Sequence, residues 1–264
     1  MDNNADQDYQ EYDADFTAVL ERVWGEGFMS PGGTDEIDHI LSGLDLTDVT
    51  IVDIGCGLGG PAVHIAENYK IDQIVAIDID EGLITQCKQL AKTRNIDQHT
   101  DSQLVTPGPL PFADNSIDLV FSKDSIIHIE DKNMLAVDIC RILKPGGWFA
   151  ASDWLAGHDD EPTVEMNAYV EAEGLDYALA GPQKYKNALE HAGFQNIELT
   201  SRNEWYRAKA REERSHLKGP LYKELVSKTS CEYVDHMIDI WDKMIVVLDQ
   251  GELNPTHLRA QKPI

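Results

Sequence analysis

The chain has few cysteines, few basic side chains and no long apolar run. Its four cysteines, Cys56, Cys87, Cys140 and Cys231, are scattered, with no CxxC pair and no histidine at metal-ligand spacing. That excludes a disulfide framework and a zinc-ribbon type of site, so reduced thiols, no metal and a cytoplasmic location are expected. No stretch approaches the roughly 18 to 20 consecutive apolar residues that a membrane span requires. The first 15 residues are acidic, where a secretory leader would be basic and then apolar. Lysine and arginine number 22 against 47 aspartates and glutamates, a net charge of −25. Because phosphate backbones are gripped by Lys and Arg, a nucleic-acid partner is disfavoured and a small-molecule partner is expected. A surface of this sign also suits hydration in high salt.

Also missing are an internal repeat and any Gly, Pro or Ser-rich linker, so 264 residues with 42% hydrophobic content read as one folding unit, monomeric or homodimeric. What is present is an alternation of short apolar runs and amphipathic segments. Tyr12 to Trp24 places Phe16, Val19, Leu20 and Val23 at helical spacing, and a turn-rich stretch Gly25 to Gly33 follows. Thr34 is placed to cap a helix carrying Ile37, Ile40, Leu41 and Leu44. Strands are then predicted at Val49 to Ile54, Ile74 to Ile79, Ile117 to Ser122 and Trp148 to Ser152, with helices at 60–68, 81–94 and Lys132 to Leu143 between them. The alternation lapses after Trp154 around a helical segment with Met166, Tyr169 and Tyr177. It resumes with a helix at 183–192, a strand at 194–200, long helices at 204–229 and 232–249, and a last strand from His257 to Ala260.

This pattern predicts an α/β protein, a Rossmann-like doubly wound and mostly parallel sheet with a helical N-terminal lid and helical cap insertions. Lid helices fall in 1–44, a cofactor-binding core in 45–155, and substrate-cap helices with the last strands in 156–264.

The most informative local feature is Asp53-Ile54-Gly55-Cys56-Gly57-Leu58-Gly59-Gly60 at the end of a buried strand. Glycines let the backbone approach a ligand, and the following helix N-terminus adds free N–H groups. Such a loop alone also fits a dinucleotide site or a purely structural turn. Here Asp53 precedes the glycines, where it would repel a pyrophosphate but sit near an ammonium group. Asp78 ends the next strand about 20 residues on, a position from which a carboxylate accepts both ribose hydroxyls. Arg141-Ile142-Leu143-Lys144-Pro145-Gly146-Gly147 then closes a helix before the strand at Trp148. In this order the three pieces resemble the class I S-adenosylmethionine-dependent methyltransferases. The resemblance implies that cofactor as ligand and Asp53, Gly55, Gly57, Gly59, Asp78 and Ile79 among its contacts. Thr106 stands where many relatives carry an aspartate that contacts the adenine amine.

The stretch from Glu11-Tyr12 through Trp24 to Gly33, and Ser122-Lys123-Asp124-Ser125-Ile126-Ile127-His128, resemble the phosphoethanolamine N-methyltransferase family, and a weaker likeness runs from Trp241 to Lys262. The resemblance adds Met29 and Ser30 to the cofactor contacts. It also implies that Tyr12 and His128 form the hydrogen-bonded pair over the active site. That fits the chemistry, since an amine must be neutral to attack a sulfonium methyl and histidine takes protons near neutral pH. The competing structural readings are a turn cap for His128 and ordinary packing for Tyr12. Asp124 and Lys123 are expected to face substrate or cofactor.

In one respect the chain departs from that family. Glu173 falls where relatives present an arginine to phosphate, Met244 where they have a lysine, and Trp154 where they have a tyrosine. Glu173 against a phosphate dianion would be repulsive. A shifted register through 176–185 would instead bring Lys184 or Lys186 to the pocket. Trp154, Tyr169 and Tyr177 would suit a cationic amine, or else serve as core. The acceptor is therefore expected to be a small amine or amino acid. Glycine, sarcosine and dimethylglycine on a route to betaine are one alternative, with Lys123, Arg202, Arg207 or Lys243 meeting the carboxylate. A true phosphoethanolamine acceptor is another. A cofactor-binding scaffold without catalysis is the non-enzyme alternative.

Overall fold

The computed structural model describes residues 14–264. In chain order its elements are α1 (Ala14–Trp24), α2 (Gly33–Leu41), β1 (Thr50–Ile54), α3 (Gly60–Asn68), β2 (Gln73–Asp78), α4 (Glu81–Thr93), β3 (Thr100–Leu104) and β4 (Ile117–Lys123). There follow a single 3-10 turn (Ile126–His128), α5 (Lys132–Ile142), β5 (Leu143–Ala156), α6 (Val164–Glu173), α7 (Pro182–His191), β6 (Gln195–Ser201), α8 (Asn203–Lys218), α9 (Tyr222–Lys228), α10 (Cys231–Gln250) and β7 (Leu253–Gln261).

The strands form one seven-stranded sheet in the order β3-β2-β1-β4-β5-β7-β6. All neighbouring pairs are parallel except β7, which runs antiparallel to both β5 and β6. This is the doubly wound α/β sheet expected from the alternating pattern. The chain winds outward from β1 to β3 and then jumps back to β4 beside β1. Ligands of open α/β sheets sit at such a reversal, outside the carboxyl ends of the strands.

Alternate residues of the central strands feed opposite layers. Val52 and Ile54 pack with Ile139, Ala188 and Leu189 beneath α5 and α7. Ile51 packs with Ile37, Ile40 and Ile65 beneath α2 and α3. A third apolar cluster belongs to the cap, where Tyr206, Trp241, Met244 and Leu248 join Val19 and Leu20 of α1. Helix starts are set by short polar side chains: Asp80, Asp131, Thr163 and Ser230 each accept a backbone N–H from the first turn of α4, α5, α6 and α10. Among the described residues no helix is long and apolar enough to cross a membrane.

The structure differs from the sequence pattern in four places. β3 went unpredicted because Thr-Asp-Ser-Gln-Leu is a polar edge strand with only Ser102 buried. The expected helix 204–229 is two helices, broken at Gly219-Pro220, where proline offers no N–H to continue the ladder. β5 begins five residues earlier than Trp148, and Pro145 to Gly147 form an irregularity in its pairing with β4, not a free turn. Finally, Gly32 rather than Thr34 occupies the cap of α2, with φ 96°.

Candidate active site

The carboxyl ends of β1, β2, β4 and β5 open on a cavity of about 1100 Å³. Its lower wall is the glycine loop. Gly55 and Gly57 line it with φ of 70° and 52°, in the left-handed region. A Cβ on Gly55 would come within 1.7 Å of Ser125 Oγ, so the loop lies against the β4 exit with no room for a side chain. The Gly57 N–H donates to Asp78 Oδ2 at 2.9 Å, and the Asp80 N–H donates to Asp78 Oδ1 at 3.1 Å. Asp78 thus braces the loop while lining the cavity, and burial raises its carboxyl pKa. Ile79, Thr106, Met29 and Ser30 line the cavity as well.

Asp53 and Gly59 do not. Gly59 turns away from the cavity, with φ 91°, and a side chain there would strike Cys87 Sγ at 2.6 Å. Its role is therefore to let the loop pack on α4. Asp53 lies beneath the loop, 1% exposed, and neither carboxylate oxygen has a hydrogen-bond partner. Burial, reinforced by the nearby Cys87 and Asp78, pushes its pKa well up. A buried carboxyl without partners is costly. A cationic ligand above the loop relieves that cost by favouring the charged form.

The lid turn between α1 and α2 closes one side. The Gly60 N–H donates to the Gly27 carbonyl at 2.9 Å, and the two glycine backbones touch so closely that a Cβ on either would clash. Lys123, buried at the end of β4, donates to Ser30 Oγ at 2.6 Å, the Pro31 carbonyl at 2.8 Å and Asp124 Oδ2 at 2.7 Å. Asp124 also accepts from Ser152 Oγ at 2.7 Å. Its own φ of 58° is unusual for a non-glycine residue and marks a strained exit from the strand. Lys123 and Asp124 both line the cavity, yet they neutralise each other. Lys123 is the single lysine or arginine on the cavity wall among the described residues.

His128 sits at the end of the 3-10 turn and also lines the cavity. Its Nδ1 is 3.1 Å from the Asp176 carbonyl oxygen. Because a carbonyl oxygen can only accept, Nδ1 is the donor in this contact, and Nε2 is the ring nitrogen left for proton exchange. The Tyr177 ring lies 5.5 Å from the imidazole, centroid to centroid. The Ala178 N–H donates to the Ile127 carbonyl at 2.8 Å and fastens this loop to the turn. Tyr12 lies outside the described residues.

Sequence reading missed a buried group beneath this turn. Lys132 Nζ donates to the Ile126 and Ile129 carbonyls at 2.8 and 2.5 Å, and the Ile127 N–H donates to Asp153 Oδ1 at 3.0 Å. Tyr185 donates to the other Asp153 oxygen. Burial raises the Asp153 pKa and lowers that of Lys132. The one available signal was a lysine directly after an N-cap aspartate, a pattern too common to single out.

The far wall belongs to the cap: Trp154, Tyr169, Glu173, Tyr177, Trp241 and Met244 all line the cavity. Tyr169 and Glu173 stand one turn apart on α6, and the tyrosine hydroxyl donates to Glu173 Oε1 at 2.8 Å. Burial pushes the Glu173 carboxyl up to about 7. Lys184 and Lys186 of α7 do not line the cavity, nor do Arg202, Arg207 or Lys243. Arg202 is paired with Glu36, Arg207 with Asp249, and Lys243 with Asp239.

These residues fit S-adenosylmethionine: open glycine backbone at Gly55 and Gly57, a carboxylate ending β2, and an unpaired buried acid beneath a cationic ligand's place. Together with the sheet order they give the chain the fold and cofactor-site arrangement of the class I S-adenosylmethionine-dependent methyltransferases. Residues 52–151 match the methyltransferase domain family model. The chain resembles the phosphoethanolamine N-methyltransferases. It is 30% identical to that enzyme from Triticum aestivum over 213 residues, covering 78% of this chain and 41% of the relative. It is 28% identical to phosphoethanolamine N-methyltransferase 3 of Arabidopsis thaliana over 88% of this chain and 46% of the relative. The chain therefore spans less than half the length of these relatives.

Among solved structures, phosphoethanolamine N-methyltransferase 2 of Haemonchus contortus, bound to phosphomonomethylethanolamine and S-adenosylhomocysteine, superposes with a TM-score of 0.87 at 26% identity, over 97% of this chain and 60% of that one. A Galdieria sulphuraria protein described as a sarcosine dimethylglycine methyltransferase shares the fold, with a TM-score of 0.80 at 18% identity over 94% of this chain and 97% of that one.

Proposed function

We propose that the protein transfers the methyl group of S-adenosylmethionine to the nitrogen of a small amine or amino acid that carries no phosphate. The observation that carries this reading is the state of Lys123: the single Lys or Arg on the described cavity wall is already bound to Ser30, Pro31 and Asp124. A phosphomonoester needs several cationic donors, and charge-assisted hydrogen bonds of that kind are worth about 1.5 to 3 kcal/mol each. Glu173 and Met244 supply none. The same shortage disfavours the carboxylate of glycine, sarcosine or dimethylglycine, so an amine without an acid group fits better than an amino acid.

When bound, the cofactor supplies an electrophilic methyl group on a sulfonium. The protein's part is to hold the acceptor nitrogen in line, exclude water and take the proton that leaves the ammonium. His128 Nε2 is the group for that proton, with Nδ1 anchored on Asp176 and the turn held by Lys132 and Asp153. By resemblance Tyr12 orients the imidazole and closes the lid. The wall of Trp24, Phe28 and Met29 shuts that side against solvent.

The likeness to phosphoethanolamine N-methyltransferases favours a second reading, in which phosphoethanolamine is the acceptor. A methyl-transfer screen over ethanolamine, phosphoethanolamine, glycine, sarcosine and dimethylglycine separates the two. The first reading expects turnover with the non-phosphorylated amine, and turnover with phosphoethanolamine alone would refute it.

A further inference from the structure

The cap wall holds a charge that nothing in the cofactor site explains. Glu173 lines the cavity, and its carboxylate accepts from the Tyr169 hydroxyl at 2.8 Å. Half-buried on the cavity wall, it makes no ion pair among the described residues, whereas Asp124 on the same wall is neutralised by Lys123. A carboxylate withdrawn from water and left without a counter-ion is unfavourable unless a ligand brings one.

A second, independent feature points the same way. Glu173 is the last residue of α6, Gly174 caps the helix with φ 69°, and Gly174, Leu175 and Asp176 all border the cavity. The carbonyl end of a helix carries partial negative charge and stabilises cations. Trp154, Tyr177 and Trp241 complete the wall with aromatic rings, whose faces attract ammonium groups.

Resting on the reading of a non-phosphorylated amine acceptor, we propose that Glu173, oriented by Tyr169, is the counter-ion for the acceptor's ammonium group. The α6 carbonyl end and the aromatic wall complete a cation cage that selects alkylammonium compounds over neutral and anionic molecules of the same size. The site then takes alkylammonium acceptors without an acid group, and the cage also holds the methylated product, which is permanently cationic once the nitrogen is quaternary.

The test is a calorimetric titration of the full chain, saturated with S-adenosylhomocysteine, using choline and its uncharged carbon isostere 3,3-dimethylbutan-1-ol as probes. Choline is expected to bind at least about tenfold more tightly than the isostere. Glu173→Gln, which keeps the side-chain volume, is expected to remove that preference while leaving the affinities for the isostere and for S-adenosylhomocysteine unchanged. Glu173→Asp is expected to restore part of it. Equal binding of the two probes by the unaltered protein, or an undiminished preference in Glu173→Gln, overturns the proposal. The parent reading is judged separately by turnover. Preference for phosphoethanolamine alongside a Glu173-dependent choline preference sinks the parent and spares the cage. Turnover of ethanolamine with an unaffected Glu173→Gln does the reverse.

Discussion

Asp78 carries two duties in one carboxylate, bracing Gly57 and facing the cavity where ribose hydroxyls are expected. Its replacement by alanine should weaken S-adenosylmethionine binding by about 2 to 3 kcal/mol, measured by calorimetry, and unchanged affinity would remove it from the cofactor site. His128→Ala should lower turnover by about 100- to 10,000-fold with cofactor affinity nearly intact, whereas near-normal turnover would make the residue structural. Glu173 gives a stability signature. Burial raises its folded-state pKa from 4.5 to about 7, so the folded protein holds that proton more tightly than the unfolded chain. The corresponding stability is complete below pH 4.5 and is lost as pH rises through about 7. Glu173→Gln should therefore gain on the unaltered protein by about 1 to 3 kcal/mol between pH 5 and pH 8 in thermal or urea unfolding, and parallel pH profiles would contradict this. At this scale the sequence marks Asp78, Gly55 and Gly57 by motif spacing and His128 by the family resemblance. It does not reveal that Asp53 lies behind the loop or that Lys123 is spent on Asp124, Ser30 and Pro31, because the burial of a strand residue and the approach of the lid turn are set by tertiary packing.

Three helices meet at Glu213. Its Oε1 accepts from Trp24 Nε1 of α1 at 2.9 Å, and its Oε2 accepts from Trp241 Nε1 of α10 at 3.1 Å and from the Tyr206 hydroxyl of α8 at 3.2 Å. Trp24 and Trp241 both line the cavity, their rings 5.7 Å apart, so this buried carboxylate ties the lid helix to the cap. Burial pushes its pKa up to about 6. Glu213→Ala leaves two buried donors and the half-buried Trp24 indole unsatisfied and should cost about 2 to 4 kcal/mol in urea unfolding, with loosened tryptophan packing visible in fluorescence. Unaltered stability would show that the helices are joined by apolar contact alone. Amphipathic spacing made α1, α2 and α10 readable, and β-branched runs did the same for β1, β2 and β4. β3 escaped because an edge strand need not be apolar. The Glu213 latch escaped because its partners come from segments about 190 residues apart.

Over the whole molecule, a net charge of −25 means that every interaction at the surface is set in a negative field. Many surface bases are already paired, Arg207 and Arg211 with Asp249 and Arg214 and Lys218 with Asp242, so the surplus is acidic and mutually repelling. Screening by salt should raise the melting temperature by several degrees between about 0.05 and 1 M sodium chloride, and a fall would mean that the surface ion pairs outweigh the repulsion. The same field favours cationic over anionic acceptors at the cavity mouth. The alternation of strands and helices was enough to anticipate the doubly wound sheet. The insertion of β7 between β5 and β6 was not readable, because the last strand carries no mark of its neighbours. The central claim, methyl transfer to an amine without phosphate, is tested most directly by competition. Ethanolamine and phosphoethanolamine are supplied at equal concentration with labelled S-adenosylmethionine, and the methylated products are quantified. The geometry of Lys123, Glu173 and Met244 predicts that methylated ethanolamine predominates, and predominance of the methylated phosphoethanolamine would contradict it.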